Sequence, residues 1–280
     1  MKRRVILTIL FAAVGWGFTT TPALSADAAP AALGLARQGI EREFGRLDAA
    51  LKRAAQTLGQ TGLTGGPARA ALAELCGGFD AAVDCAAVDR SGRMVTIEPA
   101  PFRVHEGKDI GAQEQVRRLM KTGKPVLSRV FRSVEGLPAA DAEYPVSAPD
   151  GRRLGAVSLL FLPEKLLGGV IVPLVKGIPA NAAPPGQDGL QIWVMEDTGR
   201  ILYDVDAREI GQDLFTAPMY KPYPGLIRLG RHIARRSSGS GAYEFLKDTD
   251  ERTVIRKRAH WQTVSLYGTA WRLVAVHPSP

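Results

Sequence analysis

Histidine is the side chain most often used to transfer protons near neutral pH, and the chain has four of them. They are His105, His232, His260 and His277, and none has a second metal ligand or a nucleophile at a motif spacing. Zinc-binding His motifs, the nucleophile elbow and Gly-rich phosphate loops do not occur in the sequence. We therefore predict structural or surface roles for these histidines, no cofactor and no catalytic activity. An envelope hydrolase would need one of them beside a carboxylate and a hydroxyl.

Asp204 and Asp206 form a spaced acidic pair after a predicted strand. Aspartate at such a position commonly accepts a hydrogen bond from its own backbone in a turn. Calcium takes about six to eight oxygen ligands, which is more than this spacing offers. The pair therefore predicts a turn, and no metal site is expected.

The chain has two cysteines, Cys76 and Cys85, on either side of Gly77-Gly78. In an oxidising compartment this spacing favours a disulfide that closes a small loop, worth about 3 kcal/mol in the chain-entropy description. Two buried thiols are the alternative. Two cysteines without a nearby histidine do not make a zinc site.

Residues 1–26 have the layout of a secretory signal peptide. Lys2-Arg3-Arg4 is a basic start, Val5–Phe18 is apolar, and small residues follow. The alternative is an uncleaved anchor, but the apolar run is shorter than the roughly 20 residues of a spanning helix. The sequence has no second long apolar segment. We therefore predict a periplasmic or secreted protein.

The formal charge is +8, and three of the positive charges lie in the predicted signal peptide, which leaves about +5 (8 minus 3). The basic residues are scattered, with local runs at Arg228–Arg236 and Arg252–Arg258. Nucleic-acid binding would favour a basic stripe interleaved with aromatic residues. We interpret these runs as solvated faces and predict no nucleic-acid partner.

Two segments of the sequence are repeated. Val88–Val95 is echoed by Met195–Leu202, each reading as a strand, a turn closed by Gly, a basic residue and a second strand. Gly107-Lys108-Asp109-Ile110 is echoed by Gly211-Gln212-Asp213-Leu214. The offsets are 107 and 104 residues. Nearly equal offsets predict two copies of one module of roughly 100 residues.

An N-terminal helical segment is predicted over residues 33–76. Its long first helix has one narrow apolar stripe, at steps of three and four residues. A helix of this kind either packs along a neighbouring domain or pairs with a second copy of itself. The stripe consists of Ile40, Phe44, Leu47, Leu51, Ala54 and Leu58.

Strands and helices recur in the same order in both copies, which predicts an α+β fold. A first module is expected over 86–163, a linker over 164–189 and a second module over 190–277. Each reads β-β-α-β-β-β, an antiparallel sheet with a helix and a loop on one face. The predicted elements include a helix at Gln113–Lys121, a strand at Val126–Val134 and a helix at Leu226–Arg236.

This order resembles the double Cache domain, a tandem PAS-like extracytoplasmic sensor found in many bacterial chemoreceptors and sensor histidine kinases. The resemblance covers about residues 35 to 277. Besides the long helix and the echoed hairpins, it is carried by Val126–Phe131, Pro149-Asp150-Gly151 and Gly268–Leu273. No second membrane helix, HAMP linker, kinase or signalling coiled coil is recognised. The resemblance thus implies a free sensor subunit, two PAS-like sheets behind a long N-terminal helix.

In such domains the ligand lies between a sheet and its helix-loop lid, usually in the first, membrane-distal module. The resemblance therefore implies site residues on or near two strands and on the lid. Arg132 would hold a ligand carboxylate, and Tyr144 would supply a wall and a hydroxyl. Core packing for Phe131 and Tyr144, and a surface ion pair between Arg132 and Glu135, are the alternatives. The candidates are Ser128, Phe131, Arg132, Glu135, Tyr144, Asp109 and His105.

The second module is rich in aromatic residues, which we interpret as core rather than as a ligand cage. The Arg-x-Trp-Tyr arrangement of amino-acid-sensing members is absent from the chain, which argues against an amino-acid ligand. The expected function is non-catalytic sensing of a small molecule, relayed to a membrane-bound receptor, kinase or cyclase. The alternative is a scaffold protein that has lost the pocket. The aromatic residues are Trp193, Tyr203, Tyr243, Trp261, Tyr267 and Trp271.

Overall fold

A computed structural model describes residues 28–176, 189–246 and 254–279. The predicted signal peptide and part of the predicted linker lie outside these ranges. Within them, no helix has the length and apolar character needed to cross a membrane.

The helices are α1 (Ala28–Thr61), α2 (Gly66–Gly77), α3 (Glu114–Thr122), α4 (Pro163–Lys176) and α5 (Pro224–Arg235). The strands are β1 (Ala82–Asp89), β2 (Met94–Glu98), β3 (Val126–Leu127), β4 (Phe131–Arg132), β5 (Pro138–Ser147), β6 (Arg153–Phe161), β7 (Gln191–Glu196), β8 (Ile201–Tyr203), β9 (Gly239–Leu246), β10 (Val254–Leu266) and β11 (Thr269–Ser279).

The strands form two antiparallel sheets with one topology. The first sheet has the order β2-β1-β6-β5-β3, with β4 added on β5, and the second has the order β8-β7-β11-β10-β9. In each sheet, the first two strands of the module form a hairpin at one edge. The last strand of the module, β6 or β11, lies in the middle. The predicted α+β fold with two sheets behind a long helix is confirmed.

The repeated segments form the same structure in both copies. In the first copy, the N–H of Met94 donates to the carbonyl of Lys108 at 3.0 Å, and that of Gly107 donates to Met94 at 2.7 Å. These bonds hold a loop against the second strand of the hairpin, so that the loop covers one face of the sheet. The second copy has the same pair of bonds, from Ile201 to Gln212 at 2.8 Å and from Gly211 to Ile201 at 2.8 Å.

The predicted strand at Val126–Val134 is wrong as a single element. The regular backbone ladder between β3 and β5 ends at Ser128. The N–H of Ser128 still donates to the carbonyl of Asp141, but the N–H of Asp141 donates to the Ser128 hydroxyl instead of to a backbone carbonyl, both at 2.8 Å. The chain leaves the sheet at this point. The chain then rejoins β5 as β4, opposite Pro138 and Ala139. Residues 128–135, which we call the strap, therefore cross the end of the first module.

The predicted linker begins as helix α4, although Pro173 lies inside it. Its buried residues Leu166, Leu167 and Ile171 recur on one face, and this face packs against α1. The helix therefore belongs to the core that the two sheets share, rather than forming a simple connection.

The apolar stripe of α1 is buried inside the chain. All six residues of the predicted stripe are at most 6% exposed, and the helix contacts strands of both sheets. On the second sheet, Trp271 meets Phe44 of α1 edge-on, with ring centroids 5.1 Å apart. Phe161 of the first sheet lies 6.4 Å from the same indole. The helix therefore packs along its own domains and joins them through one continuous core.

The predicted disulfide between Cys76 and Cys85 is not formed, and both residues are free thiols. Cys76 lies in the last turn of α2, where its sulfur contacts the carbonyl of Glu98 at 3.5 Å. Cys85 is fully buried on β1, and burial raises the pKa of its thiol. The alternative of two thiols is therefore the correct one, with Cys85 buried and Cys76 half-buried.

We expect Gly92→Ala to destabilise the protein more than Gly151→Ala does. Both glycines have positive φ, 86° and 82°, so each alanine meets a backbone cost of about 1–2 kcal/mol. A Cβ on Gly92 would also lie 2.4 Å from the Cα of Gly111, whereas a Cβ on Gly151 meets nothing within 4 Å. Urea unfolding of both variants measures the difference. Equal losses would show that the loop yields at Gly111.

Candidate functional site

Two acidic side chains of β5 face the lid side of the first sheet. Side chains alternate along a strand, so Ala140, Ala142 and Val146 enter the core shared with α1. Asp141 and Glu143 therefore lie on the opposite face, where they are 3% and 0% exposed. Acidic residues are rarely buried to this extent without a partner, which marks this face as a candidate site.

Strand register brings a third carboxyl group to the same place. Strand β6 lies between β1 and β5, and its Leu160 is opposite both Asp84 and Asp141. Asp84 is 1% exposed. Glu135 of the strap lies close enough for its charge to act on Asp84. The four carboxyl groups form a cluster, which we call the acidic cluster: Asp84, Glu135, Asp141 and Glu143.

The acidic cluster borders a small cavity between the sheet and its lid. The cavity volume is about 20 Å³, enough for about one water molecule. Strands β1, β5 and β6 form its floor, and the loop before α3 and the strap cover it. Its lining includes Asp84, Asp141 and Ser158 from the sheet, Ile110 and Gln113 from the loop, and Phe131, Ser133 and Glu135 from the strap.

Hydrogen bonds satisfy Asp141 but leave other cluster oxygens without donors. The Ser158 hydroxyl donates to Asp141 Oδ1 at 2.6 Å, and the Gln115 amide reaches Asp141 Oδ2 at 3.5 Å. Asp84 Oδ2, Glu135 Oε1 and both Glu143 oxygens are buried and accept no hydrogen bond within the described part of the chain. Asp84 lies within hydrogen-bonding reach of Glu135, and Asp141 of Glu143. A proton shared within each pair would satisfy part of the need of these oxygens for a donor, and a bound cation would replace that proton.

Burial controls the ionisation of the cluster. It raises the pKa of Asp84 to about 9, and the neighbouring charges of Glu135 and Asp141 add to this effect. Burial also raises the pKa values of Asp141 and Glu143. At neutral pH the cluster therefore holds protons, which a bound cation would displace.

Three of the seven sequence-predicted site residues lie at this place. Phe131 and Glu135 line the cavity. The hydroxyl of Ser128 accepts the backbone N–H of Asp141 and so fixes the strand that holds the cluster. The strap brings these three residues together because it leaves the sheet at Ser128 and returns over the cavity.

The other four predicted residues lie elsewhere. Arg132 is exposed on β4, and no arginine lines the cavity among the described residues. Tyr144 is on the alternate face of β5 and packs edge-on against Tyr267, 6.5 Å between centroids. Asp109 is exposed and accepts the N–H of Gly111 at 2.8 Å. His105 is half-buried in a short 3-10 helix that does not line the cavity.

The sequence reasoning missed Asp84, Asp141, Glu143 and Ser158. A signal was present, because Asp84 interrupts the apolar run Ala82–Val88 and Asp141 interrupts an alanine-rich run. Acidic residues inside strands that are buried on both faces depart from the expected pattern. Such departures indicate a functional site more directly than do aromatic residues in the same strands.

The strap also holds the second module. The N–H of Val130 donates to Glu196 Oε1 at 2.7 Å, and Arg129 pairs with Asp197 at 2.9 Å. Glu196 is 2% exposed, and burial raises its pKa. An intermodule cleft of about 490 Å³ opens here, and Phe131 lines both the cleft and the cavity. One segment therefore covers the cavity on one side and contacts the other module on its opposite side.

The histidines take up separate positions. His232 packs edge-on against Trp261 at 5.5 Å, and His260 stacks on His277 at 6.0 Å. Over the residues that the structure describes, no three His, Cys, Asp or Glu side chains are arranged to hold a metal ion. The geometry around these histidines gives no support to a hydrolytic site.

Residues 42–163 match the family model described as HK/GC/Chemotaxis protein-like, sensor domain. The structure superposes on the extracellular ligand binding receptor from Desulfohalobium retbaense DSM5692 with a TM-score of 0.72 at 31% identity, covering 89% of this chain. The chain has the double Cache sensor fold. It spans 40% of that receptor's length.

Further extracellular and ligand binding domains match over nearly their full length. The extracellular domain of the putative histidine kinase rpHK1S-Z16 has a TM-score of 0.64 at 14% identity, covering 90% of this chain and 92% of that one. The ligand binding domain of the Pseudomonas aeruginosa PAO1 amino acid chemoreceptor PctB, in complex with L-Arg, has a TM-score of 0.57 at 15% identity, covering 88% and 91%. At these identities the likeness shows the fold alone. No curated protein matches the chain.

Proposed function

We propose that this chain senses a small organic cation, and that the acidic cavity of the first module binds it. The observation that carries the proposal is the pair of buried acids Asp84 and Glu135, which line the cavity and each have a carboxyl oxygen that accepts no N–H or hydroxyl donor from the described residues. A protonated amine supplies N–H donors and a positive charge at once, so it satisfies both needs of these groups. A carboxylate ligand would add another acidic group to buried acids that already hold protons, and it would bring no positive charge to replace those protons. A cation therefore replaces the initial expectation of an anion held by Arg132.

Ligand entry requires the strap to move. The closed cavity holds about one water, whereas Phe131 separates it from the much larger intermodule cleft. Movement of Phe131 and Glu135 would open the cavity towards this cleft. Since Val130 of the same strap contacts Glu196, a ligand that stabilises the open strap would also change the contact between the modules. This gives binding a route to the second module.

The ligands named for relatives agree with this chemistry. PctB is in complex with L-Arg, and the related chemoreceptor PctC is in complex with GABA. Both ligands carry a protonated amino group. Both ligands also carry a carboxylate, so these names show that the shared fold can accommodate an amine-containing ligand. The preference for a cation rests on the acids that line the cavity of this chain.

We further propose that the protein works outside the cytoplasm and passes its ligand state to a membrane-bound receptor, kinase or cyclase. Support comes from the relatives, which include an extracellular receptor and the extracellular domain of a putative histidine kinase. The same proposal includes the module boundaries at 86–163 and 190–277 and export by residues 1–26.

Thermal-shift measurements with amines of increasing size test the first site. We expect putrescine or L-arginine to raise Tm through binding to the folded state, whereas acetate and glutarate do not. Asp141→Asn removes a carboxyl group that could ionise when a cation binds, and it should weaken the binding by about tenfold or more. Asp150→Asn, in an exposed turn, is the matched control and should bind like the wild type. Equal shifts with amines and carboxylates would contradict the proposal.

The alternative function is a scaffold that has kept the fold without ligand binding. The small volume of the first cavity favours it. It predicts no Tm shift with any amine, together with a stable protein partner recovered from envelope extracts by the wild type and by Asp141→Asn alike.

A further inference from the structure

The second module has a cavity at the position equivalent to that of the first. Ile201 and Leu214 line it, and they stand 107 and 104 residues after Met94 and Ile110, which occupy the same places around the first cavity. The second cavity is larger, about 180 Å³ against about 20 Å³. The duplication has therefore left a second space between sheet and lid, and this one is open.

Aromatic side chains form the walls of this second cavity. Trp193 of β7 lines it from one side, and Tyr243 and Phe245 of β9 line it from the far edge of the sheet, with β11 and β10 between them. Tyr223 stacks on Phe245 with centroids 4.5 Å apart, which holds that ring in place. The aromatic residues interpreted from sequence as core thus divide. Trp261 and Trp271 are core, whereas Trp193 and Tyr243 border open space.

Two carboxylates lie at the lid side of the cavity. Asp204 Oδ1 accepts the N–H of Asp206 at 2.9 Å, and Glu209 Oε2 accepts the hydroxyl of Tyr220 at 2.9 Å. Lys257 also lines the cavity, where its ammonium group donates to Gln191 at 3.2 Å and lies 4.4 Å from the Phe245 ring centroid.

Tyr243 lies in the wall of the second cavity, close to both carboxyl groups. Tyr243 is 7% exposed, and its hydroxyl makes no hydrogen bond to any residue in the described ranges. The side chain lies within the field of Glu209 and Asp204, whose charges, after burial, raise its pKa. The hydroxyl is therefore available to donate to, or accept from, a group that enters the cavity.

We propose that this cavity is a second ligand site and that it takes a protonated aromatic amine. The ring of the ligand would lie between Trp193, Tyr243 and Phe245, where aromatic surfaces pack favourably. Its ammonium group would reach Asp204, Glu209 and the Tyr243 hydroxyl. An anion of the same shape would meet the two carboxylates, and a neutral ligand would leave them without a new donor. The site is separate from that of the first module.

Titration of the full chain with phenethylamine tests this site. Trp193 lies in the wall, so intrinsic fluorescence should change on binding, and calorimetry gives the affinity. We expect phenylacetate, with a similar body and the opposite charge, to bind at least about tenfold more weakly. Asp204→Asn should weaken phenethylamine binding by about tenfold, and Tyr243→Phe, which removes a single oxygen, by about threefold. Glu244→Gln, at an exposed position on β9, should leave it unchanged.

The two sites are distinguished by crossing the variants. Asp141→Asn in the first module should leave phenethylamine binding intact if the second cavity holds it. Loss of this binding in Asp141→Asn but not in Asp204→Asn would overturn the second site while leaving the first. Absence of binding by the wild type up to about 10 mM would also overturn it. A normal Tm for Tyr243→Phe would show that a loss in this variant is not due to misfolding.

Discussion

The free energy of unfolding is expected to fall as the pH is raised from about 5 to about 9, and Asp84→Asn should remove much of this fall. Unfolded aspartate titrates near 3.8, whereas Asp84 in the folded protein titrates at about 9 because it is buried beside Glu135 and Asp141. Between these values the folded state holds a proton that the unfolded state has lost. The stabilisation that Asp84 contributes is therefore fully present below its pKa in the unfolded chain. It declines as the pH rises towards its pKa in the folded protein.

The expected size follows from the same linkage. One such group changes the free energy of unfolding by up to about 1.4 kcal/mol per pH unit. Asn cannot ionise, so we expect Asp84→Asn to be more stable than the wild type by about 1–3 kcal/mol near pH 8.5. The gain should shrink towards pH 4. Asp141 and Glu143, whose pKa values are also raised, contribute the pH dependence that remains.

Urea unfolding at a series of pH values measures this effect. The exposed Asp150→Asn variant is the control, and its stability should follow that of the wild type at every pH. Parallel curves for Asp84→Asn and the wild type would show that Asp84 is ionised in the folded protein. That result would also remove the argument for a proton-holding cluster that a cation displaces.

Trp271→Ala should lower the free energy of unfolding by about 3–5 kcal/mol and loosen both modules. The indole is 1% exposed and contacts Phe44 of α1 and Phe161 of the first sheet, so its removal leaves a cavity where three elements meet. Its Nε1 makes no hydrogen bond within the described residues. The loss therefore comes from packing rather than from an unpaired polar group.

Trp261→Ala is the matched control for this prediction. Trp261 is also 1% exposed and its Nε1 is likewise without a partner among the described residues, but it packs in the separate core of the second module. Hydrogen exchange should therefore rise in both sheets for Trp271→Ala and mainly in the second sheet for Trp261→Ala. Exchange confined to the second sheet in both variants would mean that the shared core does not couple the modules.

The two cavities differ from the roles that the sequence predicted for the two modules. From the sequence, the first copy was interpreted as the binder and the second as an aromatic support. In the structure the first cavity is acidic and nearly closed, whereas the second is aromatic and open. Equivalent residues border both, so the repeat conserves a cavity between sheet and lid while the chemistry of its walls has diverged.

The sequence by itself determined the fold class, the doubled order of strands and the stripe of α1. These features depend on local periods, which are two residues in a strand and 3.6 in a helix, and on turn glycines, all of which can be read along the chain. It also placed Phe131 and Glu135 near the site. The sequence could not decide that Tyr144 faces the core shared with α1. Adjacent residues of a strand point to opposite faces, and the sequence does not show which face of β5 meets the lid.

Only the tertiary structure decided which polar groups meet. Asp84 and Asp141 are 57 residues apart in the sequence (141 minus 84), and they become neighbours because β1 and β5 pair with opposite edges of β6 in a register that sets both beside Leu160. A shift of one residue in either pairing would turn a carboxyl group to the other face. The acidic cluster is therefore a product of strand register, which packing fixes and no local pattern of residues contains.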